Sequence, residues 1–83
     1  MTSELEWRRT ASAIVRANLK LAHMNNIDLA AALGKLGIHE SRKAISAKLI
    51  RGSFSASFLL QCLAATGTKQ IELPSAAEPR RQR

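Results

Sequence analysis

The chain has 83 residues, room for one small domain. Thirteen Lys and Arg against six Asp and Glu give a net charge of +7, which excludes an acidic or neutral surface and favours a polyanionic partner, since each neutralised phosphate releases condensed counterions. The single cysteine, Cys62, excludes an intramolecular disulfide, and no apolar run approaches the roughly 20 residues that span a bilayer. The N-terminal MTSELEWRRT puts acids first and has no apolar stretch of signal-peptide type, so a cytoplasmic chain with no membrane partner is expected. A domain of this size buries only about 60% of its unfolded surface, so stabilisation by a partner subunit is expected too.

Ser3 and Glu6 have capping-box spacing, which starts helix 1 near Glu4. It is expected to run to about Met24, where Asn25-Asn26 stops it. Trp7, Ala11, Ile14, Val15, Leu19 and Ala22 recur at helical spacing and make one apolar face, with Arg8, Arg9, Arg16 and Lys20 mostly off it. Trp7 is read as a core or rim anchor rather than a base-stacking residue.

Asp28 is the expected N-cap of helix 2, whose inner face is Leu29, Ala30, Leu33 and Leu36. Gly37 is expected to end it in a left-handed conformation. The turn Ile38-His39-Glu40-Ser41 leads into helix 3, capped by Ser41 or by His39. Ile45 and Leu49 bury; Arg51-Gly52 ends the helix. Phe54 is a plug between helices 3 and 4, and Ser55 caps helix 4. That helix buries Phe58, Leu59, Cys62 and Leu63 and closes at Gly67. Cys62 reads as a small core residue, because no His or second Cys accompanies it. Residues 69–73 alternate polar and apolar, a weak strand signal. The fold class expected is all-α: a four-helix helix-turn-helix bundle over 1–73 with a short extended C-terminal segment, and a disordered basic tail over 74–83.

A helix that enters the major groove needs a brace behind it, short polar or basic side chains facing out, and positive charge for phosphates. Residues 28–52 offer all three. The expected recognition helix spans about 41–51. Its candidate DNA contacts are Ser41, Arg42, Lys43, Ser46, Ala47, Lys48, Arg51 and Ser53. Arg42, Lys43 and Ser46 sit where side chains reach base edges. Ala47 permits close approach and offers a methyl to thymine. Lys48, Arg51 and Ser53 suit the backbone. Glu40 favours the helix dipole but repels phosphate, so a structural role is expected for it.

The stretch DLAAALGKLGI…ISAKLIRGSFSASFLLQCLAATG resembles the lambda-repressor-like (XRE-type) helix-turn-helix family. Leu29-Ala30, Ile45-Ser46, Arg51-Gly52 and Ser55 stand at that family's matching positions. The chain is more similar still to a family of small bacterial domains with a Trp-headed first helix and a Lys-x-x-Arg-Gly-x-Phe-Ser motif, here Trp7 and KLIRGSFS over Lys48 to Ser55. The likeness covers about residues 7–73, and small plasmid- or phage-type repressors share the overall plan. Two features depart from the repressor pattern: the segment between Leu33 and Ile45 is a few residues longer, and Asp28 stands where a phosphate-clamping glutamine often opens helix 2.

The resemblance and the basic helix together imply a sequence-specific DNA-binding transcriptional regulator. The expected form is a repressor that binds double-stranded DNA at a palindrome as a homodimer. The dimer contact is expected from helix 4 with Ile71 to Leu73. The alternative is a protein-binding adaptor on the same fold, which Glu40 and an exposed Ile50 would suit. Nonspecific coating of single strands needs stacking aromatics, and Trp7, Phe54 and Phe58 all read as buried. No clustered His, Cys or acid at ligand spacing and no phosphate-cradling glycine loop is present, so neither catalysis nor a cofactor or metal is expected.

Overall fold

The computed structural model describes residues 3–73; the basic tail expected over 74–83 lies outside them. Four helices follow in order: α1 Glu4–Leu21, α2 Asn26–Lys35, α3 Arg42–Arg51 and α4 Ala56–Ala65. Among the described residues there is no strand, and the alternating segment 69–73 is irregular. No described helix is long and apolar enough to cross a membrane.

The helix starts follow local chemistry. Ser3 Oγ accepts the Glu6 amide at 3.1 Å, and Glu6 accepts the Ser3 amide at 3.3 Å, a complete capping box. A second box opens α2, and here the expectation is corrected: Asn25 is the N-cap, and Asp28 is its third-position partner, with bonds of 2.8 and 3.0 Å. A start at Asn25 gains the reciprocal bond from Asp28, whereas a cap at Asp28 would put Ala31 at the third position, with no side chain to reach back. Ser41 and Ser55 cap α3 and α4 by accepting the amides of Ala44 and Phe58.

Three helix ends share one device, in which the chain turns left-handed and folds two amides back onto the last carbonyls. At α2 the residue is Gly37 and at α4 Gly67. At α1 it is His23, with φ 57°; its amide donates to the Lys20 carbonyl and the Met24 amide to the Leu19 carbonyl. So α1 ends three residues before the expected Met24, at a residue with no sequence mark of a stop. A left-handed non-glycine carries a steric cost of roughly 1–2 kcal/mol, offset partly by the greater unfolded freedom of glycine. His23→Gly is therefore expected to raise the urea midpoint by an amount worth about 0.5–1 kcal/mol; a lower midpoint would show that the imidazole itself contributes.

The apolar stripes meet in one cluster: Val15 and Leu19 from α1, Leu29 and Leu33 from α2, Ile45 and Leu49 from α3, and Phe58 and Cys62 from α4. Leu36, expected on the inner face of α2, is 53% exposed; the left-handed turn at Gly37 folds Ile38 back against the core in its place. Trp7 is also 44% exposed, in the first turn of α1, so it does not anchor the core. Phe54 does plug the α3–α4 corner, edge-on to Phe58 with ring centroids 5.3 Å apart and a 63° angle.

Two contacts fix α3 against α1. The buried Ser12 hydroxyl donates to the Leu49 carbonyl at 2.6 Å, satisfying an acceptor that the end of α3 leaves unpaired. Gly52 then turns left-handed at φ 72°, and its Cα faces the backbone of Arg8 so closely that an added Cβ would lie 2.5 Å from the Arg8 carbonyl oxygen. The segment after α4 is tied down by Thr68, whose hydroxyl donates to the Asn18 side-chain oxygen at 3.1 Å.

Candidate nucleic-acid interface

Ile45 and Leu49 hold α3 to the core, so the opposite side of that helix is outward by its own geometry. Lys43, Ala47 and Arg51 are exposed on that side; Arg42, three residues before Ile45, is exposed in the first turn on the flank toward α2, with the half-buried Ser46 next to it. Ser41 is exposed, but its oxygen is engaged as the cap of Ala44, leaving only its O–H to offer outward. Ser53 is exposed beyond the helix. Arg42, Lys43 and Arg51 make no ion pair with any described residue.

The charge at the start of α3 runs against helix stability. The first turns of α1 and α2 carry acids, Glu4 with Glu6 and Asp28, as the positive end of a helix dipole favours. The first turn of α3 has none and carries Arg42 and Lys43 instead. Glu40, which would complement that end, is drawn away to Lys48. Two exposed cations there, with no ion-pair partner among the described residues, leave this end of α3 electropositive.

Lys48 departs from the expectation of a phosphate contact. Its ammonium donates to Glu40 Oε2 at 2.6 Å and lies 4.6 Å from the centre of the Phe58 ring. Both side chains of the pair are largely covered. Lys48 lies on the flank of α3 that meets α4, not on the outward face, and it neutralises the one acid near the turn. Lys48→Met is therefore expected to lower stability by about 1–2 kcal/mol, through an orphaned Glu40 carboxylate. Urea denaturation reads this directly; an unchanged midpoint would place the pair among ornamental surface ions.

A contribution not read from the sequence comes from the start of α2. Asn25, Asn26 and Ile27 line a shallow groove of about 390 Å³ together with Arg42 and Ser46. The Asn-Asn pair was legible as a helix boundary, but nothing local placed it beside α3. Its side-chain amides supply neutral donors next to Arg42, a combination that suits phosphate and sugar oxygens.

Cys62 is fully buried in the core. Burial, and then the nearby Glu40 carboxylate, push its thiol up to about 11, with Lys48 opposing them. It is protonated at neutral pH and has the character of an aliphatic side chain, not of a nucleophile. No group of three or more His, Cys, Asp or Glu among the described residues is placed to hold a metal ion.

No curated protein and no solved structure matches the chain. Residues 7–71 match the family model described as a domain of unknown function (DUF6471), and over that span, most of its length, the chain belongs to this family.

Proposed function

We propose that this protein is a sequence-specific DNA-binding regulator that lays α3 in the major groove as the recognition element of a lambda-repressor-like helix-turn-helix. The observation that carries this is the pair of exposed cations Arg42 and Lys43 at the dipole-disfavoured end of α3, with Arg42 beside Ser46 and the Asn25–Ile27 start of α2. Arg42 reaches for base edges, where a bidentate contact to guanine discriminates. Lys43 and Arg51 grip the backbone, and Ala47 lets the helix approach closely. The net charge of +7 supplies the nonspecific attraction that brings a duplex in.

Repressor action fits a homodimer on a palindrome, with the two α3 helices about 34 Å apart. Exposed Leu60 and Ile71 line one groove between α4 and the segment after it, which supports that edge as the contact between copies. Selection from random duplexes is the direct test: a recovered preferred site that Arg42→Ala relaxes supports the proposal. A pool with no preference, bound equally at low and moderate salt, would end it in favour of the adaptor alternative.

A further inference from the structure

A second surface lies beside the proposed DNA face. Between α1 and the C-terminal half of α3 runs an open groove of about 620 Å³. Its apolar lining is Ala13 and Ala17 from α1, Leu49, and the exposed side chains of Leu5 and Ile50. Ile50 is 75% exposed, the least protected large aliphatic of the three helices α2 to α4. The groove's cationic lining is Arg9, Arg16 and Lys20 from α1 and Arg51 from α3, none ion-paired with a described residue. Arg8 also borders it but is bonded to Glu4 at 3.2 Å.

We infer that this groove takes an acidic amphipathic helix of a partner protein. Spacing, size and charge each contribute. Arg9, Arg16 and Lys20 stand seven and four residues apart, so they form one stripe along α1. From Leu5 to Lys20 the groove follows α1 for about 22 Å, the length of four helical turns. Ala13 and Ala17, one turn apart, leave hollows into which side chains of an incoming helix insert. The cationic stripe then pairs with acids that flank the apolar side of that helix.

Two other occupants fit worse. A duplex backbone needs cations and donors but makes no use of exposed aliphatic side chains such as Leu5 and Ile50. A second copy of this chain lacks the complement, because its four helix and turn acids are already engaged and the fifth described acid, Glu72, is a lone carboxylate after α4. Glu6 and Asp28 are in capping boxes, Glu4 is on Arg8, and Glu40 is on Lys48. The acidic face must come from a different chain.

The probe is a synthetic 16-residue helix-forming peptide with leucines at heptad-like spacing and glutamates on both sides, titrated into isotopically labelled full-length protein. A scrambled peptide of identical composition and a short random duplex form the other arms. The expected result is amide shifts at Ala13, Ala17 and Ile50 with the designed peptide. Ile50→Asp and Arg16→Glu, both at exposed positions and checked for native helicity, should each weaken it by about tenfold or more. Equal binding of the scrambled peptide overturns the inference, as does a designed peptide that leaves those amides unmoved. A duplex that shifts the same α1 amides and displaces the peptide assigns the groove to DNA instead. The proposal is independent of the DNA-binding one: a chain that binds the peptide but no duplex retains this site and loses the other.

Discussion

Gly52→Ala is expected to unfold most of the molecule at room temperature, or to leave it barely stable. The new Cβ would lie 2.5 Å from the Arg8 carbonyl oxygen, 2.8 Å from its carbon and 2.9 Å from the Arg8 Cβ. Two of those atoms are backbone, so no rotamer change relieves the clash; α1 must move bodily. It cannot move freely, because Ser12 one turn further along bonds the Leu49 carbonyl in the buried interface. The alanine would also be held at φ 72°, a further roughly 1–2 kcal/mol. A total loss above about 3 kcal/mol is expected, a large share of the 5–15 kcal/mol that a small domain has. Gly34→Ala is the matched control. It sits inside α2 with no atom within 4 Å of the added carbon, and helix propensity predicts a gain of about 0.5–1 kcal/mol. Urea melts of the two variants should shift in opposite directions. A Gly52→Ala midpoint close to that of the parent would mean that the α1–α3 contact is far looser than described here.

Reversing Arg42 and Lys43 together to Glu is expected to abolish duplex binding without harming the fold. Both side chains are exposed and unpaired, and acids suit the first turn of α3 better than cations do, so stability should rise slightly. Affinity for a selected site should fall at least a hundredfold at moderate salt, since two favourable charges become two repulsive ones beside phosphate. The single neutral variants separate the roles: Arg42→Ala should flatten preference at one base position, and Lys43→Ala should reduce the salt slope by about one while treating all sequences alike. Lys48→Met should leave that slope unchanged, because Glu40 already holds its ammonium. A doubly reversed protein that still retains the selected duplex would remove α3 from the interface altogether.

The features that the sequence made legible are the local ones. Caps at Ser3, Ser41 and Ser55 depend on a side chain and an amide three residues apart, and the burial of Ile45, Leu49 and Cys62 follows helical spacing. The features it did not disclose depend on segments meeting in space. The Glu40–Lys48 pair crosses the start of α3, and Ser12 reaches Leu49 across 37 positions. His23 adopts a glycine-like conformation that no composition rule marks. The same distinction revises the Lys-x-x-Arg-Gly-x-Phe-Ser motif. Lys48 holds Glu40, Gly52 admits the Arg8 backbone, Phe54 packs on Phe58 and Ser55 caps α4, so four of its five defining residues build the corner between α3 and α4. Only Arg51 is left facing outward. The motif's resemblance value is therefore chiefly architectural, and apart from Arg51 the candidate interface rests on residues outside it.

The seating of Gly52 against Arg8 has a mechanical consequence. Main chain meets main chain there, with no flexible side chain between them to act as a cushion. The angle between α1 and α3 is thus set by incompressible atoms and has little room to rock. A surface built on such a joint behaves as a stiff die: it loses little freedom on engagement, and whatever is pressed against it must do the bending.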